Sequence, residues 1–327
     1  MASRIAVIVD REGLGDSLLK LPMLRAIKRA CPGSEVWWIA SHITAMSDTL
    51  LAQTEHLIAN VVTDLKLNES PRCAMARLKK LPRFDLVFDT RTRILDVVLA
   101  RTGLRPREFY ACLPGYFLSH RRPSGMPVRP KSVGQRAMSM AIAAFGAGAD
   151  GSGSLPISPE ARAAAERALP SGPTYVGLAP GSREARKNWP LDRFVQVAAM
   201  LAANGHIPVF ILGPFERRWT DELRARAPEA LFPEIESVDR TLSLISRLAV
   251  MLAGDSGAGH MAASLDVPLV SLFGPTDAER WRPFGGAVQV IRAQDFGGES
   301  METIPIRPVL AALLGMLASP AARPVRS

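Results

Sequence analysis

Asp255-Ser-Gly-Ala-Gly-His260 sets a carboxylate, a hydroxyl, two glycines and an imidazole side by side, between the apolar run Ala249 to Ala253 and a helix-like stretch, Gly257 to Ser264. An apolar run closed by glycines reads as a buried strand ending in a turn open to a ligand. The N–H groups at the start of the next helix favour an anion there. A second apolar run, Leu269 to Phe273, follows almost at once, so the segment reads as strand, helix, strand in a parallel sheet. Any α/β protein carries such a unit, and an Asp at a helix start or a His packed in a core needs no ligand. Two further blocks point to a phosphate.

Arg11-Glu-Gly-Leu-Gly-Asp-Ser-Leu-Leu-Lys-Leu-Pro22 follows directly on an opening strand, Arg4 to Asp10. Gly13 and Gly15 permit a tight strand-to-helix turn, and Asp16 falls at or near the helix N-cap, where a carboxylate stabilises the helix with or without chemistry. A dinucleotide fingerprint would need its third glycine at Leu18, so a nicotinamide site is disfavoured. Pro22 predicts a kink or a later helix start. In mid-chain, Gly177-Leu-Ala-Pro-Gly-Ser-Arg-Glu-Ala-Arg-Lys-Asn-Trp-Pro190 places Ser182, Arg183, Arg186 and Lys187 around a glycine turn before Pro190 opens a helix. Cations beside such a turn suit a diphosphate, although a lone lysine is more often simply solvated. Glu216, just past the strand Ile207 to Leu212, is placed either to take ribose hydroxyls or to stand exposed at a helix start.

The three blocks, in this order and spacing, resemble the ADP-heptose:lipopolysaccharide heptosyltransferase family, glycosyltransferase family 9. The resemblance is carried by Gly15-Asp-Ser-Leu-Leu-Lys-Leu-Pro22, by Pro180-Gly-Ser-Arg183 with Lys187-Asn-Trp-Pro190, and by Asp255-Ser-Gly257 with His260 and Phe273-Gly-Pro-Thr-Asp277. It implies an α/β fold of GT-B architecture, two Rossmann-like domains facing a central cleft, and inverting transfer without a metal or cofactor. Asp16, beside Gly15, would be the general base on the acceptor side. Lys187 would meet the leaving diphosphate, helped by Ser182, Arg183 and the backbone at Ser256 and Gly257. Asp255 would contact the sugar or order its turn, and His260 would lie near the phosphates. Ala258-Gly259 stands where the family more usually has Pro-Met. The alternatives are a GT-B transferase using another nucleotide-sugar for an exopolysaccharide or glycolipid, and a non-catalytic nucleotide- or lipopolysaccharide-binding member of the fold.

The elements that must hold these residues read as repeated strand and helix over 327 residues with 47% hydrophobic content, enough for two cores. Strands are predicted at Arg4 to Asp10, Glu35 to Ala40, Asp85 to Asp89, Tyr175 to Ala179, Ile207 to Leu212, Ala249 to Ala253, Leu269 to Phe273 and Val288 to Arg292. Helices are predicted at Asp16 to Ala30, Ile94 to Arg101 and Pro308 to Leu317. The expected domains are 1–155 for the acceptor, 156–305 for the nucleotide-sugar, and a terminal segment 306–327 packing back on the first domain. Pro114 to Pro130 reads as a long loop that could close over an acceptor.

Charge is uneven: residues 1–150 hold 22 Lys and Arg against 13 Asp and Glu, a net +9, whereas residues 151–327 hold 18 of each. The excess gathers in clusters that include Arg91 and Arg93, Arg101 to Arg107, and Arg121 and Arg122, and such clusters suit a phosphorylated glycolipid at a membrane face. An anionic glycolipid acceptor bound through these residues is expected, with no nucleic acid partner and a monomeric protein. No signal peptide or membrane-spanning stretch is visible. Cys31, Cys73 and Cys112 lack metal spacing, so a reduced cytoplasmic setting, peripheral at the inner membrane, is the expectation.

Overall fold

The computed structural model describes residues 3–125, 128–285 and 287–319, and the chain divides after Gly153 into two compact units. The first runs β1 (Arg4–Val9), α1 (Leu14–Leu18), α2 (Leu21–Ala30), β2 (Glu35–Ala40), α3 (Leu51–Thr54), β3 (Asn60–Val62), α4 (Pro71–Leu78), β4 (Leu86–Asp89), α5 (Ile94–Leu104), β5 (Glu108–Ala111) and α6 (Val133–Phe145). Its strands are all parallel, in the order β3-β2-β1-β4-β5. Ile5 to Val9 are fully buried, as a central strand covered on both faces requires. The order reverses between β1 and β4, and in open parallel sheets ligands bind outside the carboxyl ends of the strands at such a reversal. The turn Asp10 to Asp16 leaves β1 at that end, and Thr90 and Arg91 leave β4 there.

The single helix predicted from Asp16 to Ala30 is two. α1 stops at Leu18, and α2 restarts with Pro22 in its first turn, where the missing N–H has no intrahelical partner to lose. β3 and β5 were not anticipated from the sequence.

The second unit runs α7 (Pro159–Ala168), β6 (Tyr175–Ala179), α8 (Leu191–Ala203), β7 (Ile207–Phe210), α9 (Thr220–Arg226), α10 (Val238–Ile245), β8 (Val250–Gly254), α11 (Gly257–Ser264), β9 (Leu269–Phe273), α12 (Ala278–Trp281), β10 (Val288–Arg292) and α13 (Ile306–Ala318). Its strands too are all parallel, ordered β10-β9-β8-β6-β7, with the reversal between β6 and β8. Every residue of β6, β8 and β9 is buried. The Gly181 and Asp255 turns therefore leave the two strands that flank the reversal.

Within the second unit, Val309, Ala312 and Leu313 of α13 join the core with Phe194 and Leu201 of α8, Leu252 of β8 and Leu272 of β9. The chain enters this helix already anchored, because the Trp189 indole N–H donates to the Ile304 carbonyl at 2.9 Å. The tail 320–327 lies outside the described residues.

Candidate functional site

The second unit assembles its candidate residues around Lys187. Trp189, 2% exposed, is packed edge-on against Phe194 at 5.2 Å and tied to Ile304, so the Lys187-Asn188-Trp189 segment is held against the core. Its backbone crosses directly over the end of β8: a Cβ on Gly254 would meet the Lys187 carbonyl oxygen at 3.1 Å. That crossing brings the β6 turn to the β8 turn, and the Lys187 ammonium donates to the Asp255 carboxylate at 3.0 Å. Glu184 approaches the same ammonium at 3.1 Å. Burial works against the lysine's charge, but Asp255 and then Glu184 outweigh it and hold the ammonium above its ordinary range.

Three polar atoms without protein partners lie on the strand ends of this sheet. Ser256 occupies the N-cap of α11 without capping it, and its buried hydroxyl has no hydrogen-bond partner among the described residues. Asn188 Oδ1, after β6, and Thr276 Oγ1, after β9, are in the same state. Buried polar groups are nearly always paired in native proteins, so the three orphans, after β6, β8 and β9, are candidate contacts for a polar ligand. Gly257 opens α11, and His260 lies buried in its first turns. Ser182 donates to the Glu184 carbonyl at 2.8 Å, and Arg183 is exposed.

Glu216, beyond β7, is wedged between two glycines. A Cβ at Gly181 would fall 2.2 Å from its Oε1, and one at Gly213 would fall 2.7 Å from its Oε2. Burial pushes its carboxyl above the ordinary range, with backbone N–H groups and Arg218 offsetting only part of that. Both glycines are thus required by the space that Glu216 fills.

In the first unit, Asp16 is the third residue of α1, not its N-cap, and its half-buried carboxylate accepts the Gly13 N–H at 3.3 Å. Gly15 lies within α1. Beneath them Glu12 and Lys20, each 5% exposed, form a buried ion pair, and the Lys20 ammonium also donates to the Asp16 carbonyl at 3.2 Å. Burial raises the Glu12 carboxyl above its ordinary range in spite of Lys20.

The arginines expected at an acceptor divide. Arg91 is 6% exposed and forks onto Asp89 at 2.9 and 2.7 Å, with a further bond to the Asp96 carbonyl at 2.8 Å. Its Nε and Nη2 are therefore engaged inside the protein, unlike the exposed arginines of the same cluster. Arg93 is exposed beside Asp96 at 3.8 Å, and Arg122 is exposed. Arg121 stays half-exposed but is tied at 2.6 Å to Glu108 and at 2.7 Å to the Tyr110 hydroxyl. Burial and then Glu108 push that hydroxyl up to about 12. The expected loop Pro114 to Pro130 is pinned by Arg129, which donates to the Cys112 carbonyl at 3.0 Å, and by buried Tyr116; Met126 and Pro127 lie outside the described residues.

A family model described as glycosyltransferase family 9 (heptosyltransferase) matches residues 100–302. The chain belongs to glycosyltransferase family 9. Among curated relatives, a lipopolysaccharide heptosyltransferase 3 of Escherichia coli is 30% identical over 136 residues, 38% of each chain. A lipopolysaccharide heptosyltransferase 1 of Pseudomonas aeruginosa is 25% identical over 89% of this chain and 84% of the relative. Most of the first curated relatives are thus matched over little more than a third of their own length. Among solved structures, a family 9 member from Veillonella parvula aligns with a TM-score of 0.69 at 18% identity, covering 96% of this chain and 97% of that one. The E. coli ADP-heptose lipopolysaccharide heptosyltransferase II aligns at 0.66 and 18%, covering 96% and 98%. This likeness shows the fold, a GT-B pair of parallel-sheet α/β units.

For a family 9 chain the sequence reading missed Glu12, Lys20, Glu184, Asn188 and Thr276. Glu184 alone had a visible signal, an acidic residue set among Arg183, Arg186 and Lys187 and three positions from the lysine.

Proposed function

We propose that the protein is an inverting, metal-independent glycosyltransferase moving a heptose from ADP-heptose to a lipopolysaccharide core acceptor. The observation that carries this reading is Lys187, charged and partly enclosed at the reversal point of the second sheet, with the unpartnered hydroxyls of Ser256 and Thr276 on the ends of neighbouring strands of that sheet. A diphosphate leaving group needs a cation and hydrogen-bond donors as its charge builds, and a lysine and hydroxyls can supply these without a metal. The first N–H groups of α11 add to the field, and Asp255 orients the ammonium. Glu216 receives the ribose hydroxyls. Asp16 removes the acceptor proton: in the ionised state its carboxylate is a proton acceptor at a strand end where acceptor substrates reach the sheet. The bond from Gly13 fixes its direction.

Two names among the relatives bear on the donor: one E. coli family member was crystallised with ADP, and another is titled an ADP-heptose enzyme. For the acceptor, exposed Ile94, Leu95 and Phe117 accompany exposed Arg93, Arg121 and Arg122 in the basic first unit. Apolar tips with cations beside them suit a peripheral protein at an anionic membrane face. No helix among the described residues is long and apolar enough to cross a membrane. We take the working form to be a monomer on the cytoplasmic side of the inner membrane.

The test is a comparison of ADP-heptose with uridine and guanosine diphosphate sugars by thermal shift and transfer assay, in excess chelator. ADP-heptose should raise Tm most and turnover should persist. Lys187→Ala should weaken ADP binding by about 2 to 3 kcal/mol, the range for a hydrogen bond to a charged group. Preference for another nucleotide, or chelator inhibition rescued by magnesium, would overturn the corresponding part.

A further inference from the structure

Glu184 gathers the groups that a diphosphate would need. Its Oε1 faces the Lys187 ammonium at 3.1 Å, its Oε2 faces the Arg186 guanidinium at 2.7 and 2.9 Å, and its carbonyl takes the Ser182 hydroxyl at 2.8 Å. One carboxylate therefore bridges two cations, as two oxygens of a phosphate would. Asp255 holds the same lysine differently. It is 11% exposed at the end of β8, whereas the Glu184 side chain is 47% exposed at the start of the short turn that carries Arg186 and Lys187. Asp255 is thus the more enclosed partner, and Glu184 the one that water and ligand reach more readily.

We propose that Glu184 is an internal counter-anion, occupying the place of the donor's phosphates on Lys187 and Arg186 and exchanged for them when the nucleotide-sugar binds. The proposal rests on the reading of Lys187 as the leaving-group cation. It gives the site a criterion for its ligand. With Glu184 in place, two cations face two carboxylates, so a ligand with one negative charge gains little by replacing Glu184, whereas a phosphomonoester, close to a dianion near pH 7, already brings more. A diphosphate brings more charge and more acceptor oxygens than the carboxylate it displaces. The exchange imposes the same displacement cost on any ligand that takes the place of Glu184, so only strongly anionic ligands overcome it, and return of the carboxylate favours release of the product nucleotide.

The experiment is calorimetric titration of ADP and AMP into the full-length wild type, Glu184→Gln, Glu184→Ala and Lys187→Ala. The Ser182 bond goes to a backbone carbonyl, so neither change at 184 removes it. Removal of the competing carboxylate should tighten ADP about threefold to tenfold in both Glu184 variants, and AMP, whose phosphate faces the same displacement, by a similar factor. The gain should fade with added salt, which screens the exposed pairs in the wild type. Unchanged or weaker ADP binding in both Glu184 variants, with Lys187→Ala still impaired, would make Glu184 a clip that preorganises the lysine and would overturn the proposal. Loss of any effect in Lys187→Ala would instead remove the underlying reading of the site.

Discussion

Each unit sets a lysine against carboxylates near the turn that leaves its first strand, but the two lysines live in opposite surroundings. Lys20 and Glu12 are each 5% exposed and have closed on each other under the turn that carries Asp16. Lys187, with 18% of its side chain exposed, meets carboxylates 11% and 47% exposed. In the dry setting a charge is tolerated only with its partner in place, so the pair acts on backbone geometry: it joins the end of β1 to the start of α2 and reaches the Asp16 carbonyl. In the wetter setting the same charge remains exchangeable. A lysine beside a glycine turn is therefore not by itself a phosphate ligand; enclosure decides whether it fixes the chain or meets a substrate.

The largest expected effect breaks the enclosed member. Lys20→Met leaves Glu12 buried without its cation, which typically costs about 3 to 5 kcal/mol, whereas the double change Glu12→Leu with Lys20→Met should recover most of it because no charge is left stranded. Chemical denaturation of the three proteins checks this. Lys187→Met should move stability far less and show its effect in nucleotide affinity. Equal destabilisation at both lysines would erase the contrast.

How much of this was legible in the sequence follows from the same physics. β6, β9 and β10 have the bounds that their apolar runs suggest, and α11 begins at the glycine that follows Ser256. β3 has three residues, and β5 opens with Glu108 after a basic stretch, so neither offers an apolar run long enough to read. Their strand form comes from neighbours: β2 pairs with one and β4 with the other. Lys187 and Asp255 stand out in the sequence through their motifs, but their pairing spans 68 positions and depends on the backbone crossing at Gly254. Arg91 shows the converse. In sequence it belongs to a basic cluster, and the fold adds that Asp89 takes the Nε–Nη2 edge of its guanidinium.

A second prediction isolates the residue that the enclosed pair supports. Asp16→Asn should keep the bond from Gly13, since an amide oxygen also accepts, and so preserve the turn while removing the base. Turnover should fall by at least about a hundredfold with ADP affinity nearly unchanged, the pattern of lost general-base help. If turnover survives, Asp16 is only a cap, and the enclosed turn of the first unit serves structure alone.

The smallest effect sharpens the comparison at Glu216, which is more enclosed than Glu184 but has no cation closed upon it as Glu12 has. Its carboxyl is raised above the ordinary 4.5 mainly by burial, so the charged form is the disfavoured one in the folded unit. Below the unfolded value both states hold the proton and burial of the carboxyl exacts nothing. As pH rises through the folded value, the folded unit must carry the anion in a place poorer in water than the unfolded chain offers, and stability falls. Glu216→Gln cannot ionise, so it should raise Tm by about 1 to 3 °C at pH 8 and leave it unchanged at pH 4. The same change should weaken ADP by roughly tenfold, since an amide is a poorer acceptor for ribose hydroxyls than a carboxylate. A gain in stability coupled to a loss of binding would mark a group kept charged for its ligand. A variant that loses stability at pH 8 as well as affinity would show Glu216 to be a packing residue between Gly181 and Gly213, and the nucleoside would then have to be held from elsewhere in the second unit.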